Sequence, residues 1–141
     1  RYPMLRYPGA EAKAALLAMA SDQPGLAHVQ LTYTNPETGE DAENVLGFHA
    51  LMLRPGQTLT LPARSPACVY HAIEGRARVS AAAHDFDLKE ADTCCIPGYT
   101  PTTLVNASAS EPAFLFIADE SPLHRKLGVY EVRPDNQPAM P

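Results

Sequence analysis

Tryptophan is absent from the 141-residue chain, and charge is sparse, at 19% of residues. The 11 Lys and Arg are scattered and the formal net charge is −5. No basic stripe or basic–aromatic patch forms, which excludes the usual footprint of a nucleic-acid-binding surface. No apolar run nears the roughly 18 residues of a membrane-spanning helix, and no secretory leader is visible. The cysteines are only three, Cys68, Cys94 and Cys95. An odd count without paired spacing makes neither a disulfide framework nor a zinc knuckle, so a reducing, cytoplasmic setting is the expectation. Helix-forming sequence is scarce as well. Arg1 rather than methionine leads the chain, and a fragment or processed product is the expectation.

Proline and glycine are plentiful, 14 and 8 residues, and they punctuate short apolar runs. Residues 10–20 alone read as a helix, with Leu16, Leu17 and Ala20 as its apolar stripe. Residues 28–34 alternate as a strand, with Val29, Leu31 and Tyr33 on one face. Further short strands are expected over 46–53, 57–61, 67–73, 76–80, 92–96, 102–105 and 113–118. Turns are expected at Glu74-Gly75, His84-Asp85 and Pro97-Gly98. The segment after Gly128 can add one more strand. Strands this short and evenly spaced predict an all-β sandwich or barrel. The division is an arm and linker helix over 1–25, one barrel over 26–133, and a loose tail over 134–141.

The punctuation has a further order. Gly56 is followed by Pro62 and Arg64, then Cys68, then Gly75. Later Pro97 is followed by Thr102 and, four residues on, Asn106. These spacings resemble the two clusters of the cupin jelly-roll barrel. There an HxH pair and a Glu lie between the first cluster's two glycines, and a His stands between the later proline and asparagine. The resemblance implies that ligands at i and i+2 share one strand's interior face, and that three His and a carboxylate hold a divalent ion. Here Pro62 and Arg64 replace HxH, Cys68 replaces the Glu and Thr102 the last His. Proline offers no donor and arginine stays cationic. The expectation is a barrel without metal or other cofactor, and with no catalytic residue.

Longer stretches carry a more specific likeness. LTYTNPETG (31–39), VYHAIEGRARV (69–79), FDLKEADTCCIPGYTP (86–101) and the closing phenylalanine strand leading to Leu-Gly-x-Tyr (113–130) resemble the carboxy-terminal cupin half of the gentisate 1,2-dioxygenase-like family, which includes salicylate and hydroxynaphthoate ring-cleaving enzymes. Arg64-Ser65 resembles that half's usual Arg-Ser. Gly98-Tyr99 departs from its more usual Ser-Trp, and Thr102 from a common His. The resemblance implies two barrels per subunit, with Fe(II) held by histidines of the other barrel, where a hydroxybenzoate ring is opened by dioxygen. This chain would then be a structural domain, not catalytic alone. Its expected partners are the iron-bearing cupin domain and further subunits of a homo-oligomer, with neither nucleic acid nor membrane. The alternative is a stand-alone barrel binding a small aromatic or carboxylate ligand in a pocket of Pro62, Arg64, Cys68, Tyr70 and Thr102.

The remaining polar residues receive plainer readings. His71 should face away from the Cys68 side, and His49 is a hydrogen-bonded core or interface residue. His28, His84 and His124 are expected at the surface. Cys94 and Cys95 point to opposite faces, both as small buried hydrophobes. Arg64, if inward, needs a carboxylate or an anion. Arg76 and Arg78 are expected on a solvated or interface face, and Phe114 and Phe116 in the core.

Overall fold

The computed structural model describes residues 5–134. Of the expected tail only Pro134 falls within that range, and the first four residues of the arm lie outside it. The chain opens with α1 (Gly9–Asp22), followed by β1 (Val29–Thr32), β2 (Gly47–Leu53), β3 (Thr58–Leu61) and β4 (Ala63–Arg64). Next come β5 (Cys68–Glu74), β6 (Ala77–Ala81), β7 (His84–Leu88), β8 (Thr93–Ile96), β9 (Thr102–Val105) and β10 (Ala113–Asp119). The last elements are α2 (Ser121–Leu127) and β11 (Val132–Arg133). A five-stranded sheet in the order β1-β2-β10-β5-β8 faces a four-stranded sheet in the order β3-β9-β6-β7, and β4 pairs with β11. All pairings are antiparallel. This is the all-β barrel with an N-terminal helix that the strand spacing predicts.

Alternation decides which side chains meet between the sheets. Leu51 and Leu53 from β2, Tyr70 and Ala72 from β5, and Leu115 and Ile117 from β10 point inward. They meet Leu59, Val79 and Leu104 of the opposite sheet in one buried cluster. Each large side chain removed from water there contributes roughly 1.5–3 kcal/mol before entropy is counted. The other parity of the five-stranded sheet makes a second cluster, in which α1 lays Leu16 and Ala20 over Val29, Ala50, Met52 and Phe114. Leu17 does not join it and is 41% exposed. Met19 packs there instead, because i+3 and i+4 from Leu16 share its helix face while i+1 turns away. Phe116 likewise stays partly exposed on the outer face, not in the barrel core.

Three elements differ from expectation. The turn expected at His84-Asp85 falls at Ala82-Ala83, and β7 begins at His84. Ala82 takes φ 52 there, a conformation usually signalled by glycine or asparagine. Four of the five β7 side chains are exposed, so the strand carries no alternation to read. Helix α2 was not anticipated, although its ends obey capping rules. Pro122 lies in its first turn, and Gly128 ends it at φ 72 with Val129 N–H donating to the His124 carbonyl at 2.9 Å. Cys95 is exposed, the opposite of the buried role expected, while its neighbour Cys94 is buried.

Candidate functional site

The five candidate residues come together at one end of the barrel interior. Pro62 follows β3, Arg64 lies on β4, Cys68 and Tyr70 share the inward face of β5, and Thr102 starts β9 opposite Leu61. With Leu61, Pro66, Ile96, Pro97 and Thr100 they enclose a cavity of about 20 Å³. That volume is room for one water and is too small for a carboxylate ligand unless side chains move.

Gly98 shapes this end of the barrel, and Gly75 and Asn106 shape the opposite one. A Cβ on Gly98 would collide with the Ser65 carbonyl oxygen, so the Pro97-Gly98 turn can press against β4 only with glycine there. Tyr99 then donates its N–H to the Arg64 carbonyl at 2.6 Å. At the first cluster's end Gly75 sits at φ +81, where a Cβ would meet the Pro112 carbonyl at 2.8 Å. Asn106 is 1% exposed. Its Nδ2 donates to the Leu53, Arg54 and Glu111 carbonyls at 3.3, 3.2 and 2.8 Å, and its Oδ1 accepts the Ser108 N–H at 3.1 Å. The asparagine landmark is thus a staple between loops.

Sequence reasoning missed the central carboxylate. Asp119 ends β10 on the inward parity of Leu115 and Ile117, with 1% of its side chain exposed. The Arg64 Nη2 stands 3.6 Å from its Oδ2 and His49 Nε2 3.4 Å. Both exceed good hydrogen-bond lengths, and Oδ2 has no hydrogen-bond partner among the described residues, while Oδ1 accepts the Ser121 N–H at 2.9 Å. Burial opposes ionisation of Asp119, but His49 and Ser121 outweigh it and hold the carboxyl down at about 2. Gly47 makes space for the pair, since a Cβ there would stand 3.2 Å from Asp119 Oδ1 and 3.4 Å from His49 Nε2. The available signal was an acidic residue closing the apolar run AFLFIAD in register with its inward positions. The arginine expected to need a carboxylate therefore has one.

The histidines separate by parity. His49 joins the interior rim, with its Nδ1 2.9 Å from Thr32 Oγ1. His71 faces outward, away from Cys68 as expected, with its Nδ1 2.7 Å from Thr93 Oγ1. His28 and His84 are exposed. His124 departs from the surface placement expected. It is half-buried, because α2 lays it against Ser65, whose Oγ lies 2.9 Å from its Nδ1 and also accepts the Glu131 N–H. Arg76 and Arg78 are exposed, Arg78 pairing with Asp87 at 2.9 Å.

The donor set does not fit a divalent ion. Pro62 has no donor, and Arg64 keeps its charge: burial alone would lower its pKa, but Tyr130 and Asp119 raise it. Burial pushes the Cys68 thiol up to about 11, away from the thiolate that binds metals. The Thr102 hydroxyl donates to the Thr100 carbonyl at 3.2 Å. Among the described residues no group of three or more His, Cys, Asp or Glu is arranged to hold a metal, and no helix is long and apolar enough to cross a membrane.

Two facing antiparallel sheets with an outer helix and this pair of glycine- and proline-bounded clusters define a cupin barrel. The chain is 66% identical over 133 residues to gentisate 1,2-dioxygenase from a Ralstonia species, matching 94% of its own length and 38% of the relative's. It is 27% identical over 132 residues to 5-aminosalicylate 1,2-dioxygenase from a Comamonas species, at 92% and 35% of the two lengths. Over the matched residues it is a homologue of the gentisate-type dioxygenases. In fold it superposes on salicylate 1,2-dioxygenase from Pseudoaminobacter salicylatoxidans with a TM-score of 0.82 and 21% identity, covering 93% of this chain and 37% of that one. The chain spans little more than a third of the length of these relatives. No protein-family model matches it.

Proposed function

We propose that the chain serves as the carboxy-terminal, metal-free cupin domain of a gentisate-type ring-cleaving dioxygenase. In this reading Fe(II) in another barrel supplies the oxygen chemistry on a hydroxybenzoate. This barrel contributes no catalytic residue and acts as a support for the iron-bearing one and for the oligomer. The observation that carries the reading is the filling of the four ligand-register positions by Pro62, Arg64, Cys68 and Thr102 around a cavity of about 20 Å³. The 66% identity to part of a gentisate 1,2-dioxygenase supports a parent of that activity. Arg64 and Asp119 balance each other's charge inside the barrel, so the centre calls for no external cation. Free thiols at all three cysteines suit a reducing, cytoplasmic setting.

Elemental analysis of the purified chain, equilibrated with Fe(II), Mn(II) and Zn(II) and then desalted, tests this. Only substoichiometric metal is expected. One ion per chain that disappears in His49→Ala or Cys68→Ala would overturn the metal-free reading.

A further inference from the structure

The outer face of the five-stranded sheet is only half covered. Helix α1 lies over Val29, Ala50, Met52 and Phe114. Beyond the helix the face continues through Tyr33, Phe48, Phe116, His71 and Ile73, which with Tyr7 line an open groove of about 600 Å³. Three ring contacts make its floor continuous: Tyr7 to Tyr33 at 5.0 Å, Tyr33 to Phe116 at 6.2 Å and Phe48 to Phe116 at 5.9 Å. The register of β5 against β10 slips between Phe114 and Leu115, which leaves Ile73 with no residue opposite and 46% exposed. Glu43 is the one acidic residue of the lining, and its carboxylate is already engaged by the N–H groups of Val45 and Leu46. An aromatic floor with its charge at the rim has the anatomy of a protein interface.

We propose that this groove seats the other cupin barrel of the same polypeptide. The inference rests on reading the chain as one barrel of a two-barrel dioxygenase. Two observations select this occupant over a second copy. More than half of each curated relative lies outside the matched segment, so the relatives carry ample chain for another barrel. Leu5 and Tyr7 also form one wall of the groove, and the Tyr7 hydroxyl donates to the Thr34 carbonyl at 2.6 Å. Any polypeptide joined ahead of them therefore starts at the groove's rim. A tethered domain meets such a surface at high effective concentration, whereas a separate copy must pay the full entropy of association.

The test uses the full-length enzyme with Ile73→Asp and Phe116→Asp, and Leu127→Asp as a control. Leu127 is 65% exposed on α2 and is not among the groove residues. Circular dichroism of the 141-residue chain bearing Ile73→Asp verifies that the barrel itself still folds. Both groove variants should speed proteolytic cleavage between the barrels at least about ten-fold, the effect of losing one central apolar anchor. They should also split a shared unfolding transition into two, while the control behaves as wild type. Unchanged cleavage and a single transition in both variants would overturn the proposal. So would loss of the oligomer with inter-barrel protection intact, which would assign the groove to a second copy. Stoichiometric iron in this barrel would instead defeat the metal-free reading and leave the docking result standing.

Discussion

Asp119 shows how one side chain sets the character of the barrel interior. Its carboxyl is held at about 2, below the ordinary value near 4. A depressed folded-state pKa contributes stability that is present above the unfolded value and lost as pH falls through the folded one. The contribution is at most about 2.5 kcal/mol. Urea denaturation from pH 5 down to pH 2 should therefore show wild type losing more stability than Asp119→Asn, by up to that amount. Equal acid limbs would show that the carboxylate is not preferentially stabilised in the fold. The thiols divide just as sharply. Burial pushes Cys68 and Cys94 up to about 11, while Cys95 is exposed. Under native conditions a thiol-reactive dye should label one cysteine per chain promptly and the other two only on unfolding. Spectrophotometric counting before and after adding denaturant checks this.

At the scale of elements, close approach matters more than propensity. The turn that joins β8 to β9 meets β4 through Gly98, and the Ser65 backbone it faces is fixed, because Ser65 N–H donates to the Glu131 carbonyl at 2.8 Å. Gly98→Ala should cost about 3 kcal/mol, the magnitude of a forced overlap that neighbours cannot relieve. A lowered urea midpoint with an unchanged slope would show this, and wild-type stability would contradict it. The same elements show what a sequence can and cannot express. Gly56, Gly75, Pro97 and Asn106 fixed the barrel's register closely enough for Pro62, Arg64, Cys68, Tyr70 and Thr102 to gather around one cavity. The β6–β7 turn reads two residues late in the sequence because alanine, which announces nothing, occupies its positive-φ position. The aspartate escaped because inward parity at a strand's last residue looks the same as solvent exposure until the neighbouring β4 is known. Helix α2 was legible in Pro122 and Gly128, but seven residues are too few for a helical period to emerge.

For the molecule as a whole, the two apolar clusters make one covered face and one half-covered face, and the uncovered half carries the aromatic groove. Nothing in the stability of either cluster calls on an ion. A chelator such as EDTA should leave the melting temperature of the purified chain unchanged, and a fall of several degrees would reveal a structural metal. The Arg64–Asp119 pair gives that prediction a wider meaning. With its charge balance encoded in two covalently attached side chains, the barrel interior has its counter-charge in place as soon as β4 and β10 come together.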